Sequence, residues 1–232
     1  MTTVVKATSS LLILENGDRL TRHEFELRYH AMPDVKKAEL IEGIVYMPSP
    51  LRYKSHGQPH GIIMGWLAVY SAATPGVELA DNTTVRLDLD NEPQPDALLR
   101  IEYELGGQSC ISEDDYIEGA PELIVEVASS SASYDLHDKL NVYRRNGVQE
   151  YIVWRVCDRE LDWFSLQQDE YVKLIPDKSG IIHSRIFPGL DLSVIALLKG
   201  DLAQVLAEGQ KGIVTDAHRA FIESLQQEQA NQ

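Results

Sequence analysis

The eight residues Glu122-Leu123-Ile124-Val125-Glu126-Val127-Ala128-Ser129 constrain this chain more than any other stretch. Five of the eight are Leu, Ile, Val or Ala, which suits a strand buried inside a layered sheet. Side chains alternate along a strand, so Leu123, Val125 and Val127 share one face and Glu122, Ile124 and Glu126 the other. Glu122 lies near the strand start, where solvent is expected. Glu126 lies further in, and an unpaired carboxylate in an apolar interior stays protonated rather than ionise. The strand alone leaves two readings open. Glu126 is a solvated strand-end acid, or it is paired with a cation, a metal or a donor.

The next helix supplies candidates. Asp135, Lys139 and Tyr143 are spaced four apart, which keeps them on one flank, since each step of four drifts only about 40° around a helix axis. A plain surface Asp–Lys pair at this spacing is common and contributes only about 0.2–0.5 kcal/mol. Position favours the other reading. The helix begins just after the strand that carries Glu126, so its first two turns can lie over that strand's end. Asp96, after Pro95, opens another apolar strand, "DALLRI". Proline is tolerated there because a strand's first residue need not donate to the ladder. An acid at the mouth of one strand and another in its neighbour suit a shared divalent ion such as Mg²⁺.

The rest of the chain gives the frame. Thr21-Arg22-His23-Glu24 has the form of a capping box and predicts a helix over about 21–31. "KKAELIEGIVYMPSP" predicts two short strands around Glu42-Gly43, stopped by Pro48 and Pro50. The apolar "HGIIMGWLAVYSA" predicts a buried helix over about 58–73. "TTVRLDLD" predicts a strand and about 102–120 a polar loop. "SSSASYD" leads into the Lys139 helix, with Gly147 as its C-cap glycine. Three strands follow, "EYIVWRV", "ELDWFSL" and "EYVKLI", with a hairpin at Cys157-Asp158-Arg159. Helices are expected over about 193–208 and 215–228, and the "QQEQANQ" end is expected to fray. This order predicts a mixed α/β domain with one layered core. The expected limits are an N-terminal extension at 1–19, the domain at 20–192 and a helical appendage at 193–232.

Charge narrows the partners. The formal net charge is −15, whereas a protein that holds nucleic acid by bulk attraction is basic. Any nucleic-acid contact must run through local groups or bound cations. No apolar run approaches the ~20 residues that span a bilayer, and "LLIL" at 11–14 is short for a signal-peptide core. A cytoplasmic protein with no membrane partner is expected. Cys110 and Cys157 lack a CxxC partner and read as reduced thiols.

Five motifs occur in order over about residues 20–190: Glu39-Leu40-Ile41-Glu42-Gly43, Pro95-Asp96, Glu126-Val127-Ala128-Ser129, the Asp135/Lys139/Tyr143 helix, and Gly147-Val148-Gln149-Glu150-Tyr151. Each is weak alone. The ordered set resembles the Uma-two branch of the PD-(D/E)XK nuclease superfamily, a bacterial group described as restriction endonucleases and abundant in cyanobacteria. The resemblance implies an α/β, restriction-endonuclease-like fold in one domain, with a mixed central sheet flanked by helices. It implies a nuclease that uses Mg²⁺ or Mn²⁺ to hydrolyse phosphodiester bonds, most readily in DNA. Asp96 and Glu126 would be its metal ligands and Glu39 its N-terminal acid. Asp135, Tyr143 and His56 would support them. The wider superfamily places a lysine two residues after the Glu. Here that position is Ala128, and Lys139 on the following helix is the lysine this branch keeps. Many nucleases cut as dimers, so a homodimer is a further expectation.

The alternative is a catalytically inactive module that keeps the fold and binds nucleic acid or protein. The direction of Lys139 separates the two: away from the acids for a module, onto them for an enzyme. Arg144 and Arg145 form the compact basic pair nearest the site, or simply sit where a helix C-terminus favours cations. A metal site made by His56 and His60 is disfavoured because His56 precedes the helix. Trp66, Trp154 and Trp163 lie in apolar runs and are expected in the core.

Overall fold

The computed structural model describes residues 13–47, 50–129 and 132–230. The strand stop expected at Pro48, most of the N-terminal extension, the Ser130-Ser131 lead-in and the last two residues lie outside them. Thr21 starts α1 (Arg22–His30) by accepting the Glu24 N–H on its side chain. β1 (Glu39–Ile41) and β2 (Ile44–Tyr46) form the expected hairpin. Glu42 and Gly43 turn it at φ 53° and 70°, the positive angles a tight right-twisting hairpin requires. The buried helix is α2 (Gln58–Ala73), entered through a wider π turn, Tyr53–Gly57.

The chain then departs from expectation. Val77–Asp81 forms a strand, β3. "TTVRLDLD" contributes only β4 (Val85–Arg86), because the chain turns at Asp88, whose carboxylate accepts from the Asn91 side chain. β5 (Ala97–Ile101) follows. The 102–120 segment holds β6 (Cys110–Ile111) and β7 (Ile117–Glu118), which join β4 in a small sheet. β8 (Leu123–Ala128) leads to α3 (Ala132–Tyr134), a second π turn over Asp135–Lys139, and α4 (Leu140–Arg145). The three expected strands are β9 (Glu150–Arg155), β10 (Glu160–Gln167) and β11 (Glu170–Lys173). An unexpected hairpin joins β12 (Ile181–His183) to β13 (Asp191–Ser193). The helix expected over 193–208 is two helices, α5 (Val194–Lys199) and α6 (Leu202–Gly212). Gly200 ends the first at φ 73°, and Asp201 caps the second. The last helix is α7 (Asp216–Ala230).

The main sheet has the order β11-β10-β9-β8-β5-β3. Its β8–β9 pair is parallel and the rest antiparallel. The central place of β8 explains why all six of its residues are buried. Leu123, Val125 and Val127 face a core shared with α2 and the C-terminal helices, where Trp66 meets Trp163 edge-on at 5.8 Å. Ile124 and Ala128 face a second core with Val142, Tyr143 and Tyr151. All three tryptophans are buried. Glu122 is buried too, against expectation, because its carboxylate accepts the Ile101 and Gln108 backbone N–H groups. A third core, with Phe25, Leu40 and Val45, lies under α1. Among the described residues no helix is long and apolar enough to cross a membrane.

Candidate active site

Antiparallel pairing sets Ala97 opposite Val125. One step further along the register puts Asp96 opposite Glu126, at the strand mouth. Asp96 Oδ2 accepts the Val127 N–H at 2.8 Å. Glu126 Oε1 accepts from Lys139 Nζ at 2.8 Å and from the Tyr143 hydroxyl at 2.9 Å. Lys139 Nζ also donates to Glu39 Oε1 at 2.8 Å, and that oxygen takes the Gln94 N–H at 2.8 Å. Lys139, Glu126, Asp96 and Glu39 are 3%, 4%, 6% and 6% exposed. The π turn over Asp135–Lys139 ends on the lysine itself, and such wide turns recur at functional positions.

The supporting residues gather at the same place. Asp135 is buried and lines the cleft, and its backbone carbonyl accepts the Tyr151 hydroxyl at 2.9 Å. His56 is buried against β8, with Nδ1 3.1 Å from the Val127 carbonyl oxygen. His60 turns to the backbone carbonyl of Asp96 at 2.9 Å and to Asp81 at 3.1 Å. Lys37 stands 3.7 Å from Asp96 Oδ1. The structure therefore brings together Asp96, Glu126, Lys139, Glu39, Asp135, Tyr143 and His56.

Burial and charge perturb these groups. Burial pushes the Glu126 carboxyl up to about 8; Lys139 opposes this, and Asp96, Asp135 and Glu39 add to it. Burial also pushes Glu39 up, but Lys139, Lys37 and two hydrogen bonds outweigh it and hold that carboxyl below its ordinary range. Burial alone would lower Lys139, yet Glu126, Glu39 and Asp135 raise it well above the usual lysine range. The lysine is thus a fixed cation between acids.

Among the described residues no three His, Cys, Asp or Glu groups already converge on one point as a metal cage. The donor chemistry still fits a divalent ion. Asp96 Oδ1 has Lys37 Nζ at 3.7 Å and His56 Nε2 at 3.6 Å, both beyond hydrogen-bond reach, and His56 Nε2 is buried with no hydrogen-bond partner among the described residues. Carboxylates and an imidazole nitrogen with a free lone pair are ordinary ligands of divalent ions.

These groups line a cleft of 840 Å³. Its rim was missed from sequence. Leu51, 64% exposed, lines it with Arg52, and Tyr53, 73% exposed, follows them in the chain. Arg52 and Lys54 are exposed beside them and make no ion pair among the described residues. The signal was present, because Gly43 to Val77 contains no Asp or Glu in a chain of charge −15. Arg144 and Arg145 are not the free basic pair. Arg144 donates to the Asp169 carbonyl at 2.7 Å, and Arg145 pairs with Glu42 and Asp88.

The sequence profile of the Uma2 family, described as "Putative restriction endonuclease", matches residues 23–195. Among solved structures the chain is similar to "a putative nuclease belonging to DUF820" from Anabaena variabilis. That likeness has a TM-score of 0.57 and 14% identity, and covers 75% of this chain and 96% of the other. At that identity it concerns the fold. No curated protein matches the chain.

Proposed function

The chain belongs to the Uma2 family, and from that membership and the Lys139 cluster we propose that it is a divalent-metal-dependent nuclease that hydrolyses phosphodiester bonds in DNA. The observation that carries the reading is Lys139 Nζ at 2.8 Å from both Glu39 and Glu126, beside Asp96 in a cleft. Burying four ionisable groups opposes folding, and clustered perturbed groups in a cleft mark sites of chemistry. This favours an enzyme over a module that only keeps the fold.

In this reading Asp96 and Glu126 would hold the ion. The Val127 amide fixes the first and the Tyr143 hydroxyl the second. A bound Mg²⁺ or Mn²⁺ supplies a more acidic water and neutralises charge on the phosphate. Lys139 donates to the attacking water or to the phosphate oxygen as the P–O bond breaks. The water oxygen bonds to phosphorus as the bond to the leaving oxygen breaks; the water's proton passes to bulk solvent and the leaving oxygen takes one from bulk solvent. Glu39 orients Lys139 by accepting one of its three protons, and Asp135 helps keep it charged. Arg52 and Lys54 suit the substrate backbone and Tyr53 suits a base face.

Calorimetric titration of Mn²⁺ into the protein tests the reading. The wild type is expected to bind and to nick supercoiled plasmid. Asp96→Asn and Glu126→Gln are each expected to lose both properties. A wild-type protein that takes up no divalent ion overturns it.

A further inference from the structure

His56 is held in a way that hydrogen bonding alone does not complete. Its Nδ1 lies 3.1 Å from the Val127 carbonyl oxygen. A carbonyl only accepts, so Nδ1 carries the ring proton, and in the neutral imidazole Nε2 keeps a lone pair. Nε2 is buried without a hydrogen-bond partner and faces Asp96 Oδ1 at 3.6 Å. Two acceptors that face each other away from water repel unless a cation lies between them. Neither side is free to turn away. The ring is 5% exposed and stacks on His60 at 5.7 Å, and Asp96 is fixed through Oδ2 by the Val127 N–H.

We propose that His56 Nε2 is a direct metal ligand, that with Asp96 and Glu126 it forms a histidine–carboxylate site, and that this site selects a transition ion such as Mn²⁺ over Mg²⁺. The inference rests on the metal-dependent reading above. A ligating histidine usually donates its other ring N–H to a backbone carbonyl or carboxylate, which fixes the tautomer, and His56 does this to Val127. The 3.6 Å gap is one that two bonds of about 2.0–2.2 Å to a single ion span at an open angle. Mg²⁺ prefers an all-oxygen shell, whereas imidazole is a ligand for first-row transition ions. Lys37 is the rival cation at Asp96 Oδ1, but its Nζ is also held by Asn82 at 3.1 Å.

Pulsed electron paramagnetic resonance on the full chain loaded with Mn²⁺ tests this without any variant. The expected spectrum carries hyperfine coupling from one directly bonded imidazole nitrogen, which changes isotope pattern when histidine is ¹⁵N-labelled. His56→Gln is expected to keep binding Mn²⁺, to lose the coupling, and to lose about tenfold or more of the preference for Mn²⁺ over Mg²⁺. His60→Gln is expected to retain the coupling. Mn²⁺ bound with no nitrogen coupling overturns His56 as a ligand and leaves the metal-dependent reading standing; a His56–Asp96 ion pair gives this outcome. Failure of the wild type to bind Mn²⁺ overturns both.

Discussion

Lys139 satisfies two buried carboxylates with one side chain, so its removal exposes how much the site opposes folding. Lys139→Met keeps the volume and leaves Glu39 and Glu126 without their shared cation. Breaking a buried pair from one side costs about 3–5 kcal/mol. The expected result is an unfolding free energy lowered by that amount at neutral pH, read from denaturant curves, together with loss of nicking. A cost below about 1 kcal/mol would mean that the lysine is not the buried counter-ion described. Glu92 tests burial away from the site. It is 3% exposed. Burial, then the neighbouring Glu26 carboxyl, pushes it up to about 8 against the pull of Arg86 and Arg22. The sign follows from comparing this with 4.5 in the unfolded chain. The folded state holds the extra proton more tightly, so the contribution is complete below about 4.5 and is lost as pH rises through about 8. Glu92→Gln replaces the shared proton with an amide N–H that still donates to Glu26. The wild-type melting temperature is expected to fall relative to the variant between about pH 5 and 9, and parallel profiles would refute this assignment.

At the scale of elements, strict alternation made β8 readable, including which face carries Glu126. The four-residue spacing of Asp135, Lys139 and Tyr143 suggested one flank of a regular helix; in the structure Lys139 and Tyr143 meet at Glu126 Oε1 and Asp135 lines the cleft with Lys139, although a π turn covers Asp135–Lys139. Other elements carried no such pattern. β3 is a sheet edge with Glu78 and Asp81 in five residues, so its sequence looks like a polar connection. Gly200-Asp201 is a helix stop followed at once by a helix start, and apolar residues on both sides hide the break. Glu122 was misjudged because its partners, the amides of Ile101 and Gln108, become neighbours only in the fold. Two glycines of α6 give a sharp test of how that helix seats. A Cβ on Gly212 would lie 2.1 Å from the Gly189 carbonyl oxygen, whereas one on Gly209 would lie 3.5 Å from the Trp66 ring. The first clash is with backbone that cannot yield cheaply. Gly212→Ala is expected to cost about 1–3 kcal/mol or more. Gly209→Ala is expected to be neutral or to gain up to about 1 kcal/mol from helix propensity. Equal effects in thermal unfolding would count against the close seating of α6 on the Gly189 turn.

The whole molecule sets how a nucleic acid would be held. A charge of −15 repels a polyanion, and acid-bound arginines such as Arg86 and Arg100 do not relieve it, since Asp114 and Glu78 already occupy them. In the proposed reading, attraction would come from the acid-free stretch that reaches the cleft and from an ion that the buried acids would hold. Both sources are separable in a binding curve. Anisotropy with a phosphorothioate duplex that resists cleavage is expected to show weak association in EDTA and tighter association with Mn²⁺. The Arg52→Ala, Lys54→Ala double variant is expected to weaken binding across sequences alike. It should also flatten the plot of log affinity against log salt by about 0.9 for each phosphate that is no longer neutralised. The same variant should leave Mn²⁺ affinity unchanged, because neither side chain touches the carboxylates. Strong duplex binding in EDTA, or an unchanged salt slope in the double variant, would move the nucleic-acid interface away from this cleft.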